Sequence, residues 1–496
     1  MAELKLDENR DLVIYGAGYY AEKVFEYLSL RGVWEIVRYV VVSDGEPHAS
    51  VFHKVKVVEL SEVSKEISKH QIIIAISPKH SDDVLDNLEK VGITDCIRLT
   101  PEFIEGLIEE YGRLCERFPV QRNKIFFDVF NGSGYTCNCK YIAERIINIY
   151  GDCEMVWDLV ENVENSLPNK IKAVIRDTPE YYYELYTSSV AVFNATINPN
   201  IQYKKREQYF VNTWHGIGPF KKVGKDVNKH NHEDYVSKAY QRIRDLVDLM
   251  TAASDHCIDV YRNSIGYQGE IQKWGYPRND VFFNDNSVRD DIRRKYGIEK
   301  DKRIVLYAPT YRYDLQGAEA CDVMRVYNLE PRSVVDSLEK RYGGEFIFLY
   351  RFHHIIYKST NVDRNIYGYG IDVTTHPDMQ ELLVAADVLI TDWSSSIWDF
   401  SLARRKGKRV FLYHNDVERA NELNGFYLPP EELPFPKGHT TEELCRVIET
   451  YDEEQYMKDA DGFFAKYGSY DDGHASERVA ERIMDVIHHP EKYGKA

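Results

Sequence analysis

One histidine follows a short apolar run near the middle of the chain, in VNTWHGIGPFKKVGKD (211–226). Gly216 stands directly after His215, and Lys221 and Lys222 follow within a few positions. An imidazole titrates near neutral pH and can take a proton from a hydroxyl nucleophile. Glycine lets backbone N–H groups come close to a ligand, and lysines attract anions. The stretch predicts a catalytic base beside an anionic substrate; the alternatives are a core histidine and a solvated lysine face.

A second apolar run ends in LYRFHH (349–354), which carries an arginine and two histidines. Side chains two positions apart in an extended chain point to the same side. Arg351 and His353 are therefore predicted to grip one phosphate, the arginine through its fork of donors. His354 points the other way and is predicted to be structural. The alternative is a surface arginine next to a buried histidine.

Three serines open a helix after the apolar run in DVLITDWSSSIWDF (387–400). Free backbone N–H groups and the positive end of a helix dipole favour an anion at such a place. Ser394 and Ser395 are accordingly predicted to bind substrate, and Asp399, one turn later, to orient a hydroxyl or a ribose. The alternatives are an ordinary serine N-cap and an aspartate that only favours the first turn.

Two further strand-end turns carry groups of the same kind. Pro309 and Thr310 close the run in YAPTYR (307–312), and Arg278 lies in GYPRND (275–280). No cluster has the spacing of metal ligands, so we expect no metal and no cofactor. Charge stabilisation would then come from Arg, Lys, His and helix N-termini. Five such loops together predict a site for a phosphate-rich donor.

The start of the chain carries a glycine pattern of its own. In YGAGYYA, Gly16, Gly18 and Ala21 match G-x-G-x-x-A between a predicted strand and a predicted helix. Asp44, at the end of the next strand, is placed to hold a ribose. Three readings stay open for this block: dinucleotide binding, a nucleotide-sugar-like or vestigial site, and a purely structural domain in which the glycines serve helix–strand packing.

The elements that position these loops alternate between strand and helix along the whole chain. The pattern predicts α/β domains with parallel sheets in three blocks, 1–115, 120–285 and 286–496. Ligands of parallel sheets bind outside the carboxyl ends of the strands, so we expect the site in a cleft between the second and third blocks. The last helix, ASERVAERIMDVIHH (475–489), is predicted to reach back to the second block.

Composition excludes some classes of function. The 496-residue chain has a net charge of −17, which argues against nucleic acid binding because that requires clustered Lys and Arg. Eight scattered cysteines without a C-x-x-C pair favour free thiols in a reducing cytosol. The charged start MAELKLDENRD is unlike a signal peptide, and no apolar run reaches the roughly 18 residues of a membrane span. We expect a cytoplasmic protein, soluble or peripheral at the inner face of the cell membrane.

Six segments resemble the CDP-glycerol glycerophosphotransferase family, the teichoic acid polymerases and primases, and occur in the same order: YFVNTWHGIGPFKKVGKD, GYPRNDVFF, LYAPTYR, LYRFH, DMQELLVAADVLITDWSSSIWDF and NGFYLPPEELP. The resemblance covers roughly residues 120 to 460. Where the family usually has His-Gly-Thr-Pro, this chain has His-Gly-Ile-Gly-Pro. The first block lies outside it and resembles the small Rossmann-like domains in front of sugar-modifying enzymes of bacterial surface polysaccharide pathways.

The resemblance implies a GT-B fold, in which two Rossmann-like lobes face a cleft, here preceded by the small Rossmann-like domain. It implies a transferase that moves glycerol phosphate, or a related alditol phosphate, from CDP-glycerol or a similar CDP-alditol to a hydroxyl of a polymer or lipid-linked acceptor, with release of CMP. His215 and His353 would be catalytic. The substrate-binding residues would be Gly216, Lys221, Lys222, Arg278, Pro309, Thr310, Arg351, Ser394, Ser395 and Asp399.

Two rival functions remain open at this point. The first is a glycosyltransferase of the same fold that uses a nucleotide sugar and forms a glycoside instead of a phosphodiester. The second is a nucleotide-binding regulatory or scaffolding protein with an inactive transferase half. Intact His215, Arg351 and His353 argue against the second rival.

Overall fold

The computed structural model describes residues 4, 6–77, 80–151, 153–160, 167–216, 220–227, 233–284, 287–310, 312, 315, 323, 325–352, 367–423 and 425–495. The chain divides into two compact units. The first spans Met1–Pro119 and Asp177–Thr187, and the second spans Val120–Arg176 and Ser188–Ala496. The boundaries of the three sequence blocks stay a prediction.

The first unit is built on a six-stranded sheet. Its strands are β1 Leu12–Tyr15, β2 Val37–Val42, β3 Val51–Phe52, β4 Val55–Glu59, β5 Gln71–Ile74 and β6 Ile97–Arg98, in the order β3-β4-β2-β1-β5-β6. All neighbours are parallel except β3 and β4. The helices of this unit are Tyr19–Leu30, Leu60–Val63, Ser81–Lys90, Pro101–Cys115 and Pro179–Thr187. Strands β1 and β5 are buried along their length, as parallel strands covered on both faces must be.

The helix Pro179–Thr187 belongs to the first unit although it lies within the second sequence block. Tyrosine rings explain the association, because Tyr111 of the helix Pro101–Cys115 lies 6.0 Å from Tyr182. Phe118 makes an edge contact with Tyr183 at 5.1 Å. Large rings bury much apolar area per residue, so a short helix can be held by few contacts.

The second unit contains two sheets, and its first sheet defines the amino-terminal lobe. Its strands are β7 Gln121–Asp128, β8 Glu154–Leu159, β9 Ile171–Ile175, β10 Ser188–Phe193, β11 Tyr209–Asn212, β12 Leu249–Thr251 and β13 Glu270–Gln272. They are all parallel, in the order β13-β12-β11-β10-β7-β8-β9. Its helices include Cys137–Ile149, Glu233–Leu246 and Asp255–Val260. The strand order reverses between β7 and β10, which marks the loops after these two strands as the place for a ligand.

The second sheet of this unit defines the carboxy-terminal lobe. Its strands are β14 Arg303–Tyr307, β15 Phe346–Tyr350, β16 Ile371–Asp372, β17 Val388–Thr391, β18 Arg409–Tyr413 and β19 Lys437–Gly438, all parallel, in the order β16-β15-β14-β17-β18-β19. Its helices include Val288–Tyr296, Pro331–Tyr342, Met379–Ala385, Ser396–Ser401, Val417–Leu423, Thr441–Thr450 and Glu453–Tyr467. The order reverses between β14 and β17, so the loops after these strands form the matching crevice.

The last helix, Ala475–His488, packs into the core of the amino-terminal lobe, as the sequence predicts. Its apolar face, which includes Val479, Ile483 and Ile487, is buried with Ile142 and Ile146 of the helix Cys137–Ile149. Asp280 fixes the start of the helix by accepting hydrogen bonds from the N–H groups of residues 475 and 476. The chain thus enters the carboxy-terminal lobe and returns, which ties the two sheets of this unit together.

In the part of the chain that the structure describes, no helix combines the length and the apolarity that crossing a bilayer requires.

Candidate active site

Strand-end loops of both lobes line one cavity of about 620 Å³, hereafter the large cavity. The amino-terminal lobe contributes residues that follow β7, β10 and β11, and the carboxy-terminal lobe contributes residues that follow β15 and precede the helix Met379–Ala385. The polar and charged lining residues are Asn131, Ser133, Thr136, Thr196, His215, Arg278, Arg351, Thr374, Asp378 and Gln380. The structure therefore brings His215 and Arg351 to the same cavity.

The imidazole of His215 is held in one tautomer. Its Nδ1 lies 2.7 Å from the carbonyl oxygen of Asn194. A carbonyl can only accept, so Nδ1 carries the proton and Nε2 keeps its lone pair. The ring packs on Phe130 and Trp214, with centroids 4.9 and 5.0 Å away. Among the described residues Nε2 has no hydrogen-bond partner, so it is free to accept a proton.

The electrostatic surroundings keep His215 neutral. Burial lowers its pKa to about 4, the bond to Asn194 opposes this shift, and the charges of Arg278 and Lys221 add to it. A histidine with this pKa is unprotonated at pH 7 and can act as a base. A bound anion would offset the two positive charges and raise the pKa of His215 towards neutral.

A strained turn places the histidine. Trp214 adopts a left-handed conformation, with φ of 53°, which is rare for a bulky residue. Two asparagines hold it, because the N–H of Trp214 donates to Asn212 Oδ1 at 2.8 Å and its carbonyl accepts from Asn138 Nδ2 at 2.8 Å. Strain of this kind persists where the surroundings over-determine it, typically at functional sites.

Arg278 links this turn to the carboxy-terminal lobe. Its Nη1 donates to the carbonyl oxygen of His215 at 2.5 Å, and its Nη2 donates to Asp399 Oδ2 at 2.8 Å. Both side chains are buried. Burial opposes the charge on Arg278, yet the carboxylate of Asp399 holds the pKa of the guanidinium above its usual value. Asp399 was predicted to orient a hydroxyl or a ribose; its Oδ2 pairs with Arg278, and a role toward a substrate stays a prediction.

Arg351 is the cation of the large cavity without a carboxylate partner among the described residues. Its Nη2 donates to the carbonyl oxygen of His376 at 3.2 Å, its Nη1 lies 3.5 Å from Met379 Sδ, and its buried Nε has no partner. Burial lowers its pKa, and the charge of Asp378 only partly opposes this. A cation in this state stabilises a bound anion. His353, its predicted companion, and His354 lie outside the described residues.

Asp378 is engaged by the opposite lobe. Lys140, on the helix Cys137–Ile149, donates to Asp378 Oδ2 at 2.8 Å and to Glu381 Oε1 at 2.5 Å. Glu381 also accepts from His376 Nε2 at 2.7 Å. Lys140 thereby neutralises carboxylates next to the large cavity, so their repulsion of an anionic ligand is reduced.

A second, small cavity of about 240 Å³ also borders His215. Trp214, His215 and Val223 line both cavities. The remaining lining residues of the small cavity are Gly216, Phe220, Lys221, His256, Cys257, Val260, Tyr261, Trp393 and Ser395. The predicted substrate residues Gly216, Lys221 and Ser395 therefore border the small cavity.

Other predicted residues take structural contacts. Thr310 donates from its hydroxyl to Asp392 Oδ1 at 2.5 Å, and Pro309 beside it is buried. Ser394 Oγ accepts from the N–H of Ser396 at 3.3 Å, just before the helix Ser396–Ser401. The N–H of Lys222 donates to the carbonyl oxygen of residue 425 at 3.1 Å. Their roles toward a substrate stay predictions.

In the first unit, the two glycines of the pattern have different surroundings, because Gly16 is tightly packed and Gly18 is not. A Cβ on Gly16 would lie 2.5 Å from the carbonyl oxygen of Ala75, so this glycine is required by packing. Gly18 has open space in front of it, and Ala21 is buried. Asp44 Oδ1 accepts from the N–H of Ser61 at 2.9 Å. The packing role of Gly16 needs no ligand, and nucleotide binding by this unit stays a prediction.

Several residues of the site were missed by sequence reasoning. Asn138 and Asn194 hold the histidine turn, and Lys140 reaches Asp378 across 238 positions of the chain. Asn194 directly follows the buried strand β10, and a polar residue at the carboxyl end of a parallel strand is a usable signal. Lys140 and Asn138 carry no such signal, because both lie inside a helix.

The family model described as CDP-glycerol:poly(glycerophosphate) glycerophosphotransferase matches residues 111–485 of this chain. The chain belongs to this family. The resemblance stated from the sequence motifs is therefore confirmed. The matched residues include the sheets of both lobes of the second unit.

Two relatives within the glycerophosphotransferase family differ in how much of their own length this chain covers. The teichoic acid poly(glycerol phosphate) polymerase of Staphylococcus epidermidis is 29% identical over 74% of this chain and 51% of its own length. The teichoic acid glycerol-phosphate transferase of Staphylococcus aureus is 26% identical over 77% of this chain and 98% of its own length. The chain thus spans about half of the first relative and nearly all of the second.

Solved structures of the glycerophosphotransferase family agree with the fold. The structure of the wall teichoic acid polymerase TagF is similar with a TM-score of 0.66 and 25% identity, over 84% of this chain and 100% of that one. A variant of TagF in which a histidine is replaced by asparagine was soaked with CDPG. The α/β, GT-B-type architecture predicted from the sequence is confirmed.

Proposed function

We propose that this chain transfers glycerol phosphate, or a related alditol phosphate, from a CDP-linked donor to a hydroxyl of a polymer or lipid-linked acceptor and releases CMP. The family membership supports this reaction class. The observation that carries the proposal is the pairing, in one cavity, of a neutral histidine whose Nε2 is free with an arginine that has no carboxylate partner among the described residues.

The reaction is an in-line displacement at the phosphorus next to the alditol. The acceptor oxygen forms a bond to this phosphorus, and the bond from the phosphorus to the oxygen of CMP breaks. The hydroxyl proton goes to Nε2 of His215, and CMP leaves with the bonding electron pair as negative charge on its phosphate. Positioning and electrostatic stabilisation supply most of the catalysis in such transfers.

Arg351 stabilises the charge that develops on the donor's phosphates. It approaches the cavity from the end of β15 and carries an unused donor at Nε. A preorganised cation in a partly dry cavity is worth more than one in water, because little solvent screens it. We assign the departing CMP phosphate to this side of the large cavity, and we keep the catalytic role of His353 as part of the proposal.

Arg278 acts as a positioning residue. It holds the carbonyl oxygen of His215 and is itself held by Asp399. Because Asp399 belongs to the other lobe, the histidine is aligned only while the two lobes keep this arrangement. Thr310 connects the ends of β14 and β17 through Asp392, and we keep Pro309, Thr310 and Ser394 as proposed substrate-binding residues.

We extend the proposal to the place of action, the cytoplasmic side of the membrane, with peripheral contact when the acceptor is lipid-linked. A flotation assay tests the contact: the chain should float with vesicles that carry a lipid-linked acceptor and remain at the bottom with bare vesicles. Equal behaviour with both would refute acceptor-dependent docking.

The reaction is tested with purified protein, CDP-glycerol and a hydroxyl acceptor. CMP release is followed by ion-exchange chromatography and the product by ³¹P NMR, which separates a phosphodiester from a glycoside. We expect His215→Ala to lower turnover by about a hundredfold or more, the usual effect of removing a general base. The exposed His488 provides the control, and His488→Ala should keep wild-type turnover.

Three results would overturn this function. Wild-type turnover in His215→Ala removes the base. A glycoside formed from a nucleotide sugar places the chain with the glycosyltransferases. Absence of both CDP-glycerol binding and CMP release would instead favour a nucleotide-binding regulatory protein.

A further inference from the structure

We propose that the small cavity binds the phosphate of the acceptor's terminal unit, with Lys221 as its counter-ion, so that His215 separates a donor cavity from an acceptor cavity. This inference rests on the proposed function and adds where the acceptor sits and what chemical group it must carry. The ligand class is a phosphodiester one unit behind the attacking hydroxyl.

The position of His215 is the first argument. It lines both cavities, as do its neighbour Trp214 and Val223. In-line transfer requires the attacking and the leaving oxygens on opposite sides of the phosphorus. A base in the wall between two cavities can take a proton from a nucleophile that comes from one side while the leaving group departs on the other.

Size is the second argument. Cavities for drug-sized ligands and cofactors measure roughly 300 to 1,000 Å³. The large cavity, at about 620 Å³, lies within this range and suits a CDP-alditol. The small cavity, at about 240 Å³, lies below it and suits a single glycerol phosphate unit.

Charge is the third argument. Lys221 has no ion-pair or hydrogen-bond partner for its ammonium group within the described ranges, and burial lowers its pKa. Asp392, the carboxylate whose field it feels, is engaged by Thr310 and Arg312. Lys221 is half-buried, so its ammonium loses part of its hydration, and a bound anion would compensate for this loss. We therefore infer that the counter-ion of Lys221 is the phosphate of a bound ligand.

Polar groups for the phosphate oxygens surround the same space. Among the described residues, Nε2 of His256 is buried without a hydrogen-bond partner, and Ser395 lines the same cavity. Gly216 lies close to the hydroxyl of Ser395, since a Cβ there would be 3.6 Å from Ser395 Oγ. A charged phosphate oxygen gains more from such donors than a neutral hydroxyl does.

The backbone around Lys221 is tied to the carboxy-terminal lobe. Lys221 forms an antiparallel bridge with Phe426. The N–H of Tyr427 donates to the carbonyl oxygen of Phe220 at 2.6 Å. The ring of Tyr427 also packs edge-on against His256 at 5.7 Å. One segment of the carboxy-terminal lobe thus positions both the lysine and the histidine.

The test compares two synthetic acceptors with the full chain and CDP-glycerol. The first is an octyl phosphodiester of glycerol, and the second is the neutral octyl ether of glycerol. We expect the wild type to prefer the phosphodiester, and Lys221→Met to lower kcat/KM for it by about 10- to 100-fold, the range of a lost charged hydrogen bond. The KM for CDP-glycerol and the rate with the neutral ether should stay within about twofold of wild type.

Three variants accompany Lys221→Met. Lys221→Arg should restore part of the preference. His256→Leu removes the second polar group and should raise the KM for the phosphodiester by about fivefold. This variant tests the small cavity even if Lys221→Met does not fold. Lys225→Met, an exposed lysine of the same loop, should behave like wild type.

The outcomes separate this inference from the proposed function. If Lys221→Met raises the KM for CDP-glycerol and leaves the acceptor preference intact, the small cavity belongs to the donor and the inference is wrong. Equal use of both acceptors by the wild type also refutes it. If the wild type neither binds CDP-glycerol nor releases CMP, the proposed function itself fails.

Discussion

Arg278 Nη1 donates a hydrogen bond to the backbone carbonyl oxygen of His215 at 2.5 Å, while the same guanidinium is paired with Asp399 at 2.8 Å. One arginine thereby couples the turn that carries the histidine to a helix of the other lobe. The two bonds leave from separate nitrogens of one rigid plane, so they fix an angle as well as a distance.

Replacing Arg278 by lysine should disturb this alignment while keeping the charge. A single ammonium cannot reproduce the fork, so we expect kcat to fall about 10- to 100-fold with little change in the KM for CDP-glycerol. Steady-state kinetics provide the measurement. Arg278→Met should in addition destabilise the fold by about 3–5 kcal/mol, because it leaves Asp399 buried without a partner. An unchanged kcat in Arg278→Lys would contradict the positioning role.

The pH dependence of the reaction should report on His215. Its pKa is lowered to about 4 in the free protein, so the base is available above that pH and is lost as the pH falls through it. A bound donor brings negative charge that favours the imidazolium and raises this pKa. We expect the acidic limb of kcat to lie at higher pH than the acidic limb of kcat/KM. Identical limbs in the two profiles would contradict the electrostatic coupling.

Lys140 should influence donor affinity without touching the donor. Lys140→Met frees the carboxylates of Asp378 and Glu381 beside the large cavity, where they repel phosphate and compete for Arg351. We expect the KM for CDP-glycerol to rise about tenfold, since one added negative charge at close range costs on the order of 1 kcal/mol or more. The double variant Lys140→Met/Asp378→Asn should recover part of this loss. A KM that the second change does not improve would refute the charge argument.

The protein should be less stable at alkaline pH with Asp471 than with asparagine at this position. Burial raises its pKa to about 6, although Tyr276 and Ser469 donate hydrogen bonds to it. The unfolded chain loses this proton near pH 4, so stability falls as the pH rises from about 4 through 6. Asp471→Asn should therefore raise the free energy of unfolding at pH 8 by on the order of 1–2 kcal/mol. Urea titrations at pH 4 and pH 8 measure the effect, and a loss of stability at pH 8 would contradict it.

The last helix should matter for stability rather than for chemistry. Ile483 is fully buried in the core of the amino-terminal lobe. Ile483→Ala should cost about 2–5 kcal/mol, the usual range for such a truncation. Thermal melting measures the loss, with the exposed Glu481→Ala as the control. A change in KM at a temperature where the variant is folded would assign the helix a role in binding.

Much of the fold follows from local pattern. Short apolar runs such as KIFFDVF form buried parallel strands, and parallel strands bring their carboxyl ends to one edge. This rule is sufficient to predict that His215 and Arg351 meet at a cleft. The prediction succeeds because a polar residue that directly follows an apolar run can be recognised in the sequence as the end of a strand.

Contacts between distant side chains could not be predicted in the same way. Asp399 pairs with Arg278 across 121 positions, whereas its place in the first turn of a helix indicated only a hydroxyl or a ribose as partner. Thr310 stands at a strand tip as predicted, yet its hydroxyl is satisfied by Asp392 from the neighbouring strand. Pairings of this kind depend on which strands are neighbours, and strand order is a property of the sheet rather than of any segment.

A side chain added at Gly16 would clash with the backbone, whereas one added at Gly18 would meet open space. Substitutions at these two positions can therefore distinguish an effect on folding from an effect on the predicted ligand binding of the first unit. The turn at Gly16 contacts the main chain at Ala75, where β1 and β5 end, so a larger residue at position 16 should disrupt the unit with or without a ligand. Position 18 tolerates bulk. A tryptophan there should leave the unit folded, and it would block the nucleotide binding that stays a prediction for this unit.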